Sequence, residues 1–295
     1  MEGDATLANS VDDMRHEWQT PGFTLETDAW VITDQSGRVV GYNEMMNRHA
    51  HAHLAGDFYV HPEMHGRGIG AALLRVLDAR ARHEILKAAE GTRVYIRNMV
   101  GVKDSDAARV HENEGYTAVR YTWRMGITLA EPPPGPRWPE GVELRPFIKG
   151  AQDRIVFEAD DEAFQDHWGH TPGNFERWKL QKLDREDFDP SLWHIAWDGD
   201  LVAGVSLCRY RQGIGWVGDL AVRRPWRRRG LGLALLEHSF GEFFRRGTRE
   251  IGLGVDAANL TGATRLYEKA GMHVVNDYVT YEKELRPGLV LEEHE

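Results

Sequence analysis

Two glycine-rich turns with basic side chains are the parts of this 295-residue chain whose residue types and spacing could do chemistry. Each turn follows a short apolar segment and precedes an amphipathic one, which predicts a strand, a tight turn and a helix. Glycines let the backbone approach a ligand closely, and the free N–H groups at a helix start favour an anion. We therefore predict that both turns can bind a phosphate or pyrophosphate group. They read His65-Gly66-Arg67-Gly68-Ile69-Gly70 and Arg227-Arg228-Arg229-Gly230-Leu231-Gly232.

The segments around the turns also recur in the same order, which indicates a duplicated domain. Residues 91–96 resemble residues 247–252, and residues 108–116 resemble residues 264–272. A proline-rich stretch between the halves cannot form a helix interior or a central strand, so it predicts a semi-rigid linker. We predict an N-terminal domain over residues 1–130, a linker over residues 131–141 and a complete C-terminal domain over residues 142–295.

The hydrophobic pattern of the second half predicts a full series of strands and helices around its turn. A hairpin is predicted around Asp198-Gly199-Asp200, and Thr171-Pro172 has the residue types of a helix start. The helix after Gly230 carries its apolar residues on one face. The predicted strands cover residues 142–147, 193–197, 201–210, 216–222 and 250–255 and a last strand to about 284, and the other predicted helices cover residues 151–167, 173–183 and 260–270.

The composition and charge of the chain exclude several classes of protein. Hydrophobic residues make up 41% of the chain and no apolar run could span a bilayer, so no membrane partner is expected. The chain opens without a charged and apolar leader, and we predict a cytoplasmic protein. The net charge of −10 is spread over both halves, which argues against nucleic acid as a partner. Cys208 is the only cysteine, which excludes an internal disulfide and a cysteine-based metal cage.

The second turn and the elements that follow it resemble the GNAT superfamily of acyl-CoA-dependent N-acetyltransferases. The family's hallmark, R/Q-x-x-G-x-G/A after a central strand, is met by residues 227–232, and a helix, a strand and the segments 256–259 and 266–272 follow. No Gly-Lys-Ser/Thr of a P-loop and no dinucleotide-binding fingerprint competes with it. The tandem arrangement is similar to the mycothiol synthase family, in which one half keeps catalysis. The resemblance implies an α/β (α+β) fold of two tandem GNAT-like domains, each with a mixed central sheet flanked by helices.

The resemblance also implies that the second half binds acetyl-CoA. Backbone groups of Leu220, Ala221 and Val222 would pair with the pantetheine arm, as in the family. The turn Arg227-Arg228-Arg229-Gly230-Leu231-Gly232 would hold the pyrophosphate, and Asn259 would contact the cofactor beyond the next strand.

Two catalytic candidates come from the second half. Tyr267 matches the family's general acid, which protonates the leaving thiolate; the alternative is a core aromatic residue on a helix face. Asp219, at the end of the central strand, is a candidate base for the acceptor amine. Its alternative role is a solvated or ion-paired carboxylate at a strand end, and a water relay to a more distant carboxylate would also serve.

An acidic segment before the central strands is the candidate acceptor site. Residues 151–190 contain eleven acidic and five basic residues, a balance that would attract a cationic amine, although a solvated acidic helix face explains it equally well. In the GNAT fold the helices of this segment usually cover the acceptor. The acceptor candidates are Asp161, Glu162, Asp166, His167 and Trp168.

The first half departs from the family pattern. His65 replaces the first Arg or Gln of the turn, His111 replaces the tyrosine, and too few residues precede the strand at 29–33 for a full domain start. We expect this half to be degenerate and incomplete at its start, or else the native start to lie upstream. It could still bind a cofactor through Val60 and Gly66, Arg67, Gly68, Ile69 and Gly70. His49, His51 and His53 could share a strand face, but no metal is expected since direct acyl transfer needs none.

Two classes of function remain. The first is an acetyl-CoA-dependent N-acetyltransferase acting on a primary amine of a small molecule or a protein, with the oligomeric state left open. The second is a non-catalytic acyl-CoA-binding or sensor protein that keeps the fold. Tyr267 and the intact second turn favour the enzyme, and a screen of amines with acetyl-CoA would separate the two.

Overall fold

A computed structural model describes residues 10–168, 170, 173–258 and 262–290 of the chain. The strands are β1 (Ala29–Thr33), β2 (Val39–His49), β3 (His53–Val60), β4 (Val94–Gly101), β5 (Thr117–Thr128), β6 (Val142–Pro146), β7 (Trp193–Asp198), β8 (Leu201–Arg211), β9 (Ile214–Val222), β10 (Glu250–Asp256) and β11 (His273–Arg286). The helices are α1 (Val11–Glu17), α2 (Leu25–Asp28), α3 (Ile69–Glu84), α4 (Ser105–Asn113), α5 (Asp153–Phe164), α6 (Phe175–Lys182), α7 (Leu231–Arg245) and α8 (Ala263–Lys269).

Contacts divide the chain into two compact units. Within the described residues, the first unit holds residues 17–122 and 277–290, and the second holds residues 10–16 and 123–276. This division differs from the boundaries predicted at 130 and 142, because residues 278–286 of β11 pair with β4 of the first unit. The limits 1–130, 131–141 and 142–295 stay a prediction about which parts of the chain fold separately.

The first unit is built on a mixed sheet. Strands β1, β2 and β3 form antiparallel pairs, β3 and β4 run parallel, and β4 pairs antiparallel with β11. Helix α3 packs on this sheet through Leu74, Leu77 and Ala81, which lie on one face at helical spacing. The helix begins after Gly68, whose φ of 80° is a left-handed conformation that glycine adopts without strain.

The second unit has a mixed sheet with helices on both faces. Strands β6 to β9 are antiparallel, and β9 and β10 run parallel. Val156 and Phe157 of α5 and Trp178 of α6 pack in one core, while Leu236 and Phe240 of α7 pack in another. A mixed sheet flanked by helices is the architecture that the sequence predicts, and the α+β class is confirmed.

Most of the elements predicted for the second half are confirmed within two or three residues. The hairpin around 198–200 is formed by β7 and β8, and the helix after Gly230 is α7. The predicted start of a helix at Thr171-Pro172 lies outside the described residues, and α6 begins at Phe175. None of the helices in the described ranges is both long and apolar enough to cross a membrane.

Candidate active site

The parallel strands β9 and β10 of the second unit separate soon after they meet. Their described ladder contains only the pairs Gly215–Ile251 and Trp216–Gly252. Beyond it β9 bulges: Val217 faces Cys208 and Asp219 faces Leu207 on β8, so Gly218 is the extra residue. Since a Cβ at Gly218 would lie 3.0 Å from the Leu207 carbonyl oxygen, only glycine fits here without a shift. The bulge and the short ladder leave the β10-facing edge of residues 220–222 outside the ladder.

A cavity of about 120 Å³ opens in this gap. Strands β9 and β10 form its floor, α8 forms one wall, and the end of α5 and the turn after it form another. The lining residues are Phe164, His167, Val217, Gly218, Leu220, Leu253, Gly254, Val255, Asp256, Ala263 and Tyr267.

Tyr267 on α8 is the buried phenol of this cavity, with only 7% of its surface exposed. Burial raises the pKa of Tyr267 to about 12. Within residues 10–168, 170, 173–258 and 262–290, no group hydrogen-bonds its hydroxyl. The phenol therefore keeps its proton at neutral pH and can give it to a group inside the cavity.

The glycine turn of the second unit has the backbone conformation that an anion cradle needs. Arg228 and Gly230 both adopt positive φ angles, 62° and 88°, immediately before α7. A Cβ added at Gly230 would meet open space, so a ligand can approach there. The first N–H groups of α7 have no partner within the helix, and they favour a negative charge. These features fit the pyrophosphate of coenzyme A.

Close packing of α7 against α8 requires a glycine at Gly232. Its Cβ would lie 3.0 Å from Leu266 Cδ1, so the missing side chain lets α7 approach α8, the helix of Tyr267. Arg227 is held by the backbone, with Nε donating to the Val222 carbonyl at 2.9 Å and Nη2 to Ala163 at 3.0 Å. Asn259, the remaining predicted cofactor contact, lies outside the described residues.

Asp219 is ion-paired with Lys182 of α6. Asp160 of α5 lies close to this pair and accepts a hydrogen bond from Trp178 Nε1 at 3.2 Å. Burial, followed by the charge of Asp219, raises the pKa of Asp160. Burial alone would lower the pKa of Lys182, but the two carboxylates outweigh it and raise that pKa. Of the two sequence-based alternatives for Asp219, the structure contains the ion pair, and its role as a base stays a prediction.

Of the five acceptor candidates, His167 is the one that lines the cavity. Trp168 is 42% exposed. The carboxylates are paired: Asp161 with His170 at 3.7 Å, Glu162 with Arg223 at 2.6 Å, and Asp166 with Arg224 at 2.5 Å and Arg227 at 2.6 Å. The segment is therefore less available to an incoming cation than its charge balance suggested.

Sequence reasoning missed several residues of the cavity. Gly218 and Gly254 have no side chain to signal their position, and Phe164 reads as a core residue. Asp256 was visible only as part of the family segment after β10. The signal that could have found Gly218 is a glycine inside a central strand, which often marks a bulge.

The first unit keeps the turn but not the gap. Gly66 and Gly68 have φ angles of 73° and 80°. His65 Nε2 lies 3.2 Å from the Val60 carbonyl oxygen, and this contact matches the one between Arg227 Nε and the Val222 carbonyl oxygen in the second unit. Arg67 is exposed, and Ile69 and Gly70 begin α3. Strands β3 and β4, however, pair over four residues, 53–56 with 95–98.

His111, at the position that matches Tyr267, is completely buried. Its ring packs against Phe58, Tyr116 and Tyr281 with centroid distances of 5.0 to 5.2 Å, and Nε2 lies 3.1 Å from Asn98 Nδ2. Burial lowers the pKa of His111, so the ring is a neutral part of the core.

Comparisons with known proteins identify the class. The sequence profile described as "Acetyltransferase (GNAT) family" matches residues 154–272, and the one described as "Acetyltransferase (GNAT) domain" matches residues 26–118. The chain therefore belongs to the GNAT acetyltransferase family, as the sequence predicts, and it is an acetyl-CoA-dependent N-acetyltransferase.

Named relatives and solved structures agree with this class. A mycothiol acetyltransferase of Thermobispora bispora is 33% identical over 74% of this chain and 72% of its own length. A mycothiol acetyltransferase of Nocardiopsis dassonvillei is 30% identical over 84% of this chain and 79% of its own length. The crystal structure of a GCN5-related N-acetyltransferase from Sphaerobacter thermophilus has a TM-score of 0.82 at 38% identity, covering 96% of this chain and 88% of its own. A tandem GNAT protein of the clavulanic acid pathway shares the fold, with a TM-score of 0.69 at 18% identity, covering 89% and 84%.

Proposed function

We propose that the second unit carries the acetyl-transfer site and that its acceptor is the primary amine of a small molecule. The observation that carries the proposal is the gap between β9 and β10. It brings a protonated tyrosine, a free strand edge and a glycine turn into one unit, whereas the matching gap of the first unit is closed by strand pairing.

Three groups of residues would bind the donor, acetyl-CoA. Backbone groups of Leu220, Ala221 and Val222 would pair with the pantetheine arm along the strand edge that faces the gap. The turn from Arg227 to Gly232 would hold the pyrophosphate, since its glycine leaves open space at the start of α7. The bulge at Gly218 would set the thioester carbonyl against the cavity.

Tyr267 would act as the general acid. Transfer breaks the bond between the acyl carbon and sulfur and leaves a thiolate, which needs a proton. The phenol keeps its proton because burial raises its pKa to about 12, and Tyr267 lines the cavity with no hydrogen bond from its hydroxyl to the described side chains.

The acceptor that we propose is a small amine of the mycothiol class. The relatives named mycothiol acetyltransferase match both halves of the chain in order, and the cavity of about 120 Å³ admits an amine-bearing group of a small molecule. Glu162 near the end of α5 and Asp166 just after it are already paired with arginines, so we expect recognition by shape and hydrogen bonds more than by a strong acidic field.

The test is a screen of amines with acetyl-CoA and the full-length protein. The panel holds mycothiol lacking its acetyl group, glucosamine, cysteine, polyamines and a lysine peptide, and mass spectrometry follows the acetylated product because some acceptors carry thiols. We expect the mycothiol precursor or a related amino sugar conjugate to have the highest kcat/KM. Preferred turnover of the lysine peptide would contradict the small-molecule acceptor, and no acetylation of any amine would contradict the proposed function.

A further inference from the structure

The proposed function leaves open which group removes a proton from the acceptor amine. Resting on that function, we propose that His167 is the general base of the second unit. His167 and Tyr267 line the same small cavity, with His167 on the turn after α5 and Tyr267 on α8. Within the ranges that the structure describes, its ring nitrogens form no hydrogen bond or ion pair with the protein.

Three of the nearby carboxylates already have cationic partners. Asp219 is ion-paired with Lys182, Glu162 with Arg223, and Asp166 with Arg224 and Arg227. Hydrogen bonds from Arg224 and Arg227 lower the pKa of Asp166, so this carboxylate is a weak proton acceptor. Asp256 lines the cavity, but one of its oxygens, Oδ1, accepts the backbone N–H of Ala258 at 2.9 Å.

The position of His167 is fixed from both sides. Its backbone N–H donates to the Phe164 carbonyl at 2.8 Å, and its ring packs on the Phe164 ring at a centroid distance of 4.5 Å. The preceding residue, Asp166, is anchored to Arg224 and Arg227 near the glycine turn. The turn that presents the imidazole is therefore attached to the same segment that would hold the donor's pyrophosphate.

The charge state of His167 suits a base. Burial lowers its pKa, His170 and Arg227 lower it further, and Asp256 and Asp166 raise it, with a net lowering. The imidazole is consequently neutral at pH 7 and can accept a proton, while Tyr267 in the same cavity is protonated and can donate one. A base and an acid in opposite states are what one acyl transfer requires.

The protons and electrons of the transfer balance with these two side chains. His167 takes one proton from the acceptor's ammonium group, and the freed lone pair forms the bond between nitrogen and the acyl carbon. The bond from that carbon to sulfur breaks with its electron pair on sulfur, and Tyr267 protonates the thiolate. The second proton that nitrogen loses returns to the phenolate, and the imidazolium releases its proton to solvent.

The test compares His167→Gln with the parent at saturating acetyl-CoA, using the acceptor found by the amine screen. General bases contribute about 10²–10⁴-fold, so we expect kcat/KM at pH 7 to fall in that range while acetyl-CoA affinity changes little. The acidic limb of the parent's pH–rate profile should disappear, and added imidazole should restore part of the rate. His273→Gln removes an exposed imidazole of the same unit and should leave the profile unchanged.

Three results would overturn the proposal, and they are distinguishable. A parent that acetylates an amine while His167→Gln keeps its rate and its acidic limb shows that another group is the base. A parent that transfers acetyl to no amine removes the proposed function, and the base with it. A rate loss without a changed pH profile and without imidazole rescue would show that His167 only positions other residues, which also contradicts its role as base.

Discussion

The two units contain the same strand–turn–helix segment, but they differ in what lies between the parallel strands. In the first unit the ladder of β3 and β4 runs to Gly56 and Asn98. In the second unit the matching positions, Gly218 and Gly254, are unpaired, and the ladder ends two residues earlier. A Cβ at Gly254 would meet open space, whereas the Asn98 side chain fills that position and contacts His111.

This comparison shows that the glycine turn and the gap between the parallel strands vary separately. The cradle depends on a few left-handed residues and a helix start, and both turns keep these. The gap depends on a bulge and on the side chains around it. In the first unit His111, Phe58 and Asn98 fill this space, and a Cβ at Gly56 would lie 2.4 Å from Leu77 Cδ2.

We expect the largest effect on kcat from substitutions at Tyr267 and His111, the matching residues at which the two units differ. Tyr267→Phe removes a proton donor but no binding contact, so kcat should fall about 10²–10⁴-fold with the Kd for acetyl-CoA nearly unchanged. His111→Phe keeps an aromatic ring in the core of the first unit and should leave kcat within a few-fold. Steady-state kinetics and calorimetry check both. The reverse pattern would place catalysis in the first unit.

The next effect concerns how many acetyl-CoA molecules bind. We expect calorimetry to give one site per chain, because pairing of β3 with β4 closes the matching gap of the first unit. Gly230→Val puts a branched side chain at φ 88° and into the ligand's space, so binding should weaken about tenfold or more. Gly247→Val, at a similar φ of 85° and also in open space at the far end of α7, controls for backbone strain and should bind normally. A full site remaining in Gly230→Val would show that the first unit binds the donor.

The smallest expected effect is on the pH dependence of stability, and it comes from Asp57, the residue of the first unit that matches Asp219. Asp219 has Lys182 as a cationic partner, whereas Asp57 faces Glu44 and accepts a hydrogen bond from the Tyr59 hydroxyl at 2.8 Å. Burial raises the pKa of Asp57 to about 7, helped by Glu44 and Glu17. Because the folded pKa lies above the unfolded one, about 3.9, this stabilisation is complete below the unfolded value and is lost as the pH rises through 7.

Asp57→Asn should therefore flatten the dependence of the melting temperature on pH. Between pH 5 and pH 8 we expect the parent to lose on the order of 1–2 kcal/mol relative to the variant, a difference of a few degrees in Tm. Parallel thermal melts of both proteins across this range, followed by circular dichroism, give the comparison. Identical slopes would show that Asp57 is ionised throughout.

Part of the site could be predicted from the sequence, because its signals are local. The strand, turn and helix of each half follow from periodicity and glycine positions, and Tyr267 follows from the family motif. The availability of the acidic segment could not be predicted, because a charge balance does not reveal which residues pair with the carboxylates. Glu162 and Asp166 pair with arginines about 60 residues away in sequence, and Asp161 pairs with His170, nine residues on. The role that we propose for His167 depends on its place in the cavity, which has no sequence signal.

The sequence by itself determined that the chain has two related halves, where the helices and strands of the second half lie, and that each half has a glycine turn before a helix. These properties depend on residues within one element or one turn. Only the tertiary structure decided that one gap is open and the other closed. The opening depends on the register between strands far apart in the chain, on whether a bulge forms at Gly218, and on which side chains fill the space beside Gly254 or Asn98. These are contacts that no local pattern encodes.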